Sequence, residues 1–512
     1  MKPKDVITDL FLDFYFHETR PDLSLQCIKT DSEIFEVIRN INTCAKYKST
    51  NNFTKSILKG FINKPLFRID GIRNDSLDIE KHVLHISYNW YASLQRLIVL
   101  SNSIDEITQV QIFGITINAI YTICCIIIFR TFLFTTATMK NSSQTWEIIE
   151  RALNKESLDV WFTLDELASI SPSISISDLQ TFMDLFACDL TTIHKHNDTP
   201  FLYSNAGLYS IIFADDFSSF VFSNVDKRII DFCNAQGQSC LELYKNSRGK
   251  NLEYLVHQIT KEVYPQNTFI NINYIDFEQK KREIDVLVIQ PNYVLDIECK
   301  SSYFNLYDCN NDSETQMRIR GAFGKSLQSI NAFCETMRLS NALDLGNVKH
   351  GSIKITEGKQ VYPLQITLYP IDFIGTHLHN IETIDIGKFS VYPININFMD
   401  FYTIMFFASL NKQPFETYLA KRFASINMAA DIQLDVDEID VFGFLIDPQY
   451  DSLFDMFMQN DHGVQQIFSI SNSAYRRQFN SEITNYAMQV IFSEFIPHSI
   501  GKELEMAFIR DD

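Results

Sequence analysis

Two carboxylates and an amine lie close together in the stretch Glu283 to Lys300, EIDVLVIQPNYVLDIECK. Glu283 to Ile289 reads as a strand, apolar on both faces except for the acids near its start. Pro291 and Asn292 supply a turn signal. Tyr293 to Lys300 reads as a second strand, and it alternates. Tyr293, Leu295, Ile297 and Cys299 face one way; Val294, Asp296, Glu298 and Lys300 face the other. A period of two thus sets Glu298 beside Lys300, and a hairpin would bring Asp285 opposite them. Such a trio on a buried strand pair is costly unless a metal or a substrate shares the space. Asp296 and Glu283 stand at two-residue spacing from the key acids, as extra ligands or as marks of a strand end.

Glu-x-Lys occurs three times, at Glu278/Lys280, Glu298/Lys300 and Glu357/Lys359. Only the middle copy ends an apolar strand and follows a strand bearing an Asp. Asp285, twelve intervening residues and then Glu298-Cys299-Lys300 resembles the D…ExK core of the PD-(D/E)XK nuclease superfamily, the restriction-endonuclease-like fold. A second match lies upstream. Arg248-Gly249-Lys250-Asn251-Leu252-Glu253 opens an apolar-periodic helix through Leu252, Leu255, Val256 and Ile259, similar to the family's first helix, which often carries an acid there. The resemblance runs from about Tyr244 to Leu339.

The resemblance implies an αβββαβ core and metal-dependent phosphodiester hydrolysis. Asp285 and Glu298 would be the side-chain ligands of Mg2+, with Mn2+ as a substitute, and the backbone carbonyl of Cys299 a third ligand. The Cys299 side chain points to the other face and is not a ligand. Lys300 would orient or deprotonate the attacking water and stabilise the developing charge. Glu253 would bind a second ion or hold a metal-bound water. The substrate expected is nucleic acid, DNA ahead of RNA, cut internally, with microbial genome defence as the setting suggested by fold analogy. The competing reading is non-enzymatic: a protein-interaction scaffold whose nuclease-like core is degenerate, or a plain hairpin with an ordinary Glu–Lys pair.

Composition sets bounds. A chain of 512 residues, 46% hydrophobic and 21% charged, predicts two to four globular domains with a large core. The formal net charge of −19 excludes coating of nucleic acid by the whole surface. Lys245 to Arg338, by contrast, carries twelve basic and twelve acidic side chains, so a neutral window sits in an acidic chain and suits DNA admitted to one groove. Ten scattered cysteines without a C-x-x-C or a zinc-spaced cluster read as reduced and buried. MKPKDVITDLF lacks a secretory h-region, and the expected location is cytoplasmic. Ile107 to Phe129 carries no charge over twenty-three positions, long enough to cross a bilayer. It contains Gln109, Gln111, Asn118 and three threonines, which favours a buried helix with a packing stripe of Ile112, Ile115, Ala119 and Ile123. A membrane-tethered sensor is the alternative.

Four regions must position the chemistry. Residues 1–144 read as a helical N-terminal domain in which His17, His82 and His85 share no metal spacing. Residues 145–215 read as a winged-helix-like module. Thr163 to Glu166 and Ser177 to Gln180 are capping boxes, the second helix buries Leu179, Phe182, Met183 and Leu185 or Phe186, and strands flank Asn205 to Gly207. Its exposed face offers Asp178, Gln180 and Asp184, a poor surface for reading bases, so a protein-contact role is expected. Residues 216–370 hold the nuclease-like core. There Ser313 to Gln316 caps a helix reaching Leu339, with Gln316 and Arg320 as expected substrate contacts. Residues 371–512 form a mixed region with a strand at Phe389 to Ile394, helices at Met399 to Leu410 and Phe415 to Phe423, and an alternating acidic run from Asp431 to Asp440 read as an exposed strand or loop face. A protein partner or a homo-oligomer is compatible with this layout.

Overall fold

The computed structural model describes residues 66–68, 92–127, 162–170, 174–189, 202–205, 207–211, 214–302, 317, 320–340, 342–347, 351–356, 358–370, 391–427, 432–434, 438–448, 451–458 and 466–469. In chain order its strands are β1 (Leu66–Arg68), β2 (Cys188–Asp189), β3 (Leu202–Asn205), β4 (Leu208–Ile211), β5 (Thr268–Ile275), β6 (Lys281–Ile289), β7 (Tyr293–Lys300), β8 (Ala342–Asn347), β9 (Gly351–Thr356), β10 (Gln360–Thr367), β11 (Ile394–Asn397), β12 (Ile432–Leu434) and β13 (Gln466–Ser469). The architecture is mixed α/β, and the chain divides into two compact units. One comprises residues 1–49, 75–241 and 480–512; the other comprises 50–74 and 242–479.

In the first unit, helices Glu106–Phe113 and Ile117–Ile127 replace the single helix expected there, with a bend of 61° between them. Gly114 ends the first at φ 76°, a left-handed value that glycine adopts without strain. Gln109 stitches the break. Its Nε2 donates to the Ser101 and Ile104 carbonyls, and its Oε1 accepts from the Ile117 N–H. Among the described residues no single helix is long and apolar enough to cross a membrane; this bent pair passes by length and composition only.

Helices Leu164–Ile170 and Ile176–Phe186 precede the small sheet β2-β3-β4. Thr163 and Glu166 form the expected reciprocal cap. The second cap lies two residues earlier than expected, because Ser175 rather than Ser177 pairs with Asp178. Leu179, Phe182, Met183 and Phe186 are buried, as the spacing predicts. Gln180 Nε2 donates to Asp184 across the exposed face at 2.8 Å.

The second unit is built on a seven-stranded mixed sheet of order β11-β10-β7-β6-β5-β8-β9. β5, β6 and β7 form an antiparallel meander; β10 pairs with β7 in parallel, and β11 pairs with β10 in parallel. β7 is buried along both faces, which explains its near-continuous apolar run and makes its acids expensive. The helix Lys325–Leu339 lies against the sheet, its Phe333 ring edge-on to Tyr274 at 5.4 Å. Thr336 Oγ1 accepts the Phe277 N–H at the β5–β6 turn. A π-turn, Arg320–Gly324, leads into this helix; the expected start at Ser313 and the candidate contact Gln316 lie outside the described residues.

Three further expectations are corrected in this unit. The helix carrying Glu253 runs from Gln238 to Val263, so Arg248 to Glu253 sits mid-helix instead of opening it. The buried positions Leu241, Tyr244, Arg248, Leu252 and Val256 recur at three- and four-residue steps across Gly249, and nothing in the run breaks the helix. The strand expected at Phe389 to Ile394 begins only at Ile394. The Val391 N–H and C=O are both held by the Asn331 side chain, which ties this segment to a helix, and Pro393 has no N–H to offer a ladder. Glu438, within the acidic run expected to be exposed, is buried. It accepts from Arg422 at 2.7 and 3.0 Å and from Tyr418 Oη at 2.7 Å.

Candidate functional site

Strand β6 loses its regular pairing at Asp285. Toward β7 the paired register runs from Ile289↔Val294 to Val286↔Ile297 and stops one step short of Asp285 and Glu298. Toward β5 it skips from Ile270↔Val286 to Ile272↔Ile284. The residue passed over, Asn271, has φ 53°, a left-handed backbone that Asn tolerates better than most residues. The Asp285 side chain fills the opening, and its Oδ2 accepts the Cys299 N–H at 2.7 Å.

That bond also fixes the direction of the Cys299 carbonyl oxygen. In an extended strand the N–H and C=O of one residue leave on the same side, and successive residues alternate. The Cys299 N–H points toward Asp285, whereas the Lys300 carbonyl accepts from Leu368 on the β10 side at 2.9 Å. The Cys299 carbonyl therefore leaves β7 on the Asp285 side. The Cys299 thiol lies on the opposite face, buried, and burial raises its pKa well above the ordinary value.

Glu298 is 5% exposed. Lys300 Nζ donates to its Oε2 at 3.3 Å, and Ser329, from the helix Lys325–Leu339, favours its charged form. The helix Gln238–Val263 passes the end of β7, since a Cβ on Gly249 would lie 3.7 Å from Ser301 Oγ. One turn later it brings Glu253 within the electrostatic reach of Glu298 and Lys300.

The charges oppose one another. Burial, then the Glu298 and Glu253 carboxylates, push Asp285 well above the usual carboxyl range, against the pull of Lys300 and the Cys299 N–H. Burial also raises Glu298, although Lys300 and Ser329 counter it. Glu253 is pushed up to about 7 by burial and by Glu283. Burial lowers Lys300, yet Glu298 and Asp285 more than offset it and hold the ammonium above the ordinary lysine value. Three carboxyls facing one amine are thus short of positive charge.

The sequence-predicted residues divide clearly. Asp285, Glu298 and Lys300 come together on β6 and β7, with Glu253 within their electrostatic reach. Glu283 is exposed at the rim of this group. Arg320 is exposed in the π-turn. Asp296 is 1% exposed, and neither carboxylate oxygen has a hydrogen-bond partner; burial, then Glu298 and Asp285, raise its pKa well above the ordinary value.

Sequence reasoning missed a polar row on the same sheet face. Gln365 is the register partner of Glu298, and Asn395 that of Gln365; Thr367 is the register partner of Lys300, and Asn397 that of Thr367. Gln365 and Asn395 are 0% and 4% exposed, and Asn395 Nδ2 approaches Gln365 Oε1 at 3.4 Å. The available signal was Gln365 and Thr367 alternating with Leu364 and Ile366.

Among the described residues, no three His, Cys, Asp or Glu side chains converge closely enough to ligate one ion. The donor set nevertheless fits a hard cation that keeps much of its water shell: two carboxylates short of positive charge and one backbone carbonyl, all oxygen. No family model matches the chain, and no curated protein matches it. Among solved structures it is similar to "Crystal structure of protein VC1899 from Vibrio cholerae", at 13% identity and a TM-score of 0.20, over 62% of this chain and 56% of that one. The chain thus spans little more than half the length of that neighbour.

Proposed function

We propose that this protein is a metal-dependent nuclease of the PD-(D/E)XK type, most readily a DNA endonuclease, with its active site at Asp285, Glu298, Lys300 and Glu253. The observation that carries the reading is the opening in β6. Asp285 abandons the ladder there, and two raised carboxyls meet a lysine and the Cys299 carbonyl. A surplus of buried carboxyls is a stability cost that a cation-dependent reaction explains.

When bound, Mg2+ or Mn2+ held by Asp285, Glu298 and the Cys299 carbonyl supplies charge neutralisation and acidifies water. Lys300 orients the attacking water and neutralises charge developing on the phosphate. Glu253, with a pKa of about 7, is poised to accept or return a proton near neutrality. The helix–helix–hairpin of residues 162–211 resembles a winged helix and serves as a protein-contact module, since Asp178 and Asp184 repel phosphate. Microbial genome defence is the setting we favour, with cytoplasmic residence.

The scaffold reading keeps one observation in its favour: no side-chain trio among the described residues ligates an ion. Plasmid nicking in Mg2+ against EDTA decides between them. Cleavage in Mg2+ that Asp285→Ala and Lys300→Ala each reduce by about 100-fold or more is expected. No cleavage of duplex, single-stranded or RNA substrates would select the scaffold.

A further inference from the structure

Thr367 is 2% exposed, and its Oγ1 has no hydrogen-bond partner. A buried idle hydroxyl is uncommon in a folded protein and invites an explanation. Its register neighbour on β7 is Lys300. Partners in a parallel ladder project from the same face, about 4.8 Å apart. Lys300 is held to Glu298 by a long contact of 3.3 Å. Its side chain is only 24% exposed, so an ammonium that leaves Glu298 must find another acceptor nearby.

We propose that Thr367 is the second seat of the Lys300 ammonium: when a divalent cation claims the Glu298 carboxylate, Nζ turns to the Thr367 hydroxyl. Thr367 is then a positioning residue that acts through Lys300. In the resting protein its oxygen is idle; in the cation-loaded protein it accepts one N–H and keeps the ammonium beside the reacting phosphate. The seat makes cation entry cheaper, because Lys300 exchanges one acceptor for another instead of losing its Glu298 contact outright. This inference rests on the cation site proposed above.

Titration calorimetry of the full chain with MgCl2 tests it, alongside thermal unfolding in EDTA. Thr367→Val preserves shape and removes the hydroxyl; Thr367→Ser keeps the hydroxyl. The expected result is a Mg2+ affinity about 5-fold weaker in T367V, restored in T367S, with an EDTA melting transition that is unchanged or higher in T367V. In a Lys300→Met background the T367V effect on Mg2+ affinity should vanish, because no ammonium remains to be seated. Wild-type Mg2+ affinity in T367V overturns this inference while leaving the cation site standing. So does an undiminished T367V effect in the K300M background, which would mean the hydroxyl does not act through Lys300. A lower EDTA transition in T367V also overturns it, because the hydroxyl would then be engaged at rest. Absence of Mg2+ binding by the wild type overturns the cation site and the seat together.

Discussion

Replacing Glu253 with Gln should stabilise the metal-free protein, and only above the pH at which the carboxyl ionises. A glutamate with a folded pKa of about 7 against an ordinary 4.5 carries a penalty of about 3 kcal/mol when charged. Glu253 is only partly buried, and solvent screening reduces this to about 1.5 kcal/mol. The sign follows from proton uptake. Between pH 4.5 and about 7 the folded chain holds a proton that the unfolded chain has released, so stability falls as pH rises across that window. Glutamine mimics the protonated acid and escapes the loss. Scanning calorimetry in EDTA should place the transition of the unit holding the seven-stranded sheet about 3–6 °C higher in E253Q than in wild type at pH 8.5. At pH 4.5 the two should agree within about 1 °C. Equal shifts at both pH values, or a lower transition at pH 8.5, would refute the account of a carboxyl crowded by Glu283 and Glu298.

The same crowding predicts that Asp296→Asn, which removes a buried, unpartnered charge, raises stability by about 1–3 kcal/mol in alkaline buffer; the gain, read from urea midpoints, should grow as pH rises through the elevated Asp296 pKa and fade toward pH 4. Elsewhere in the unit, Arg422→Met strands the Glu438 carboxylate, which is 2% exposed, and should cost about 3–5 kcal/mol. Adding Glu438→Leu to that variant should recover most of the loss, as calorimetry of the single and double variants would reveal.

The alternation of Tyr293 to Lys300, the turn at Pro291-Asn292 and the Asp285 spacing were enough to read the hairpin and the convergence of Asp285, Glu298 and Lys300, because a period of two assigns faces without reference to the rest of the fold. Glu253 was legible as a candidate, but its place in the middle of a 26-residue helix was not; the run from Arg248 reads as an opening, and the buried Leu241 and Tyr244 show the helix packed well before it. The Ser175 cap and the late start of β11 were missed for a related reason. Ser175 and Ser177 are equivalent as sequence signals, and the contact of Asn331 with Val391 spans sixty residues.

What the sequence determined by itself is local: which residues alternate, which caps are possible, which acids share a strand face with a lysine. What only the tertiary structure decided is who stands beside whom across strands distant in the chain. The parallel docking of β10 on β7 and of β11 on β10 sets Gln365, Thr367 and Asn395 along the polar row, and the skipped pairings at Asn271 and Asp285 open the ladder. Such register depends on the sum of many side-chain contacts over both faces of a sheet, and no single stretch of residues encodes it.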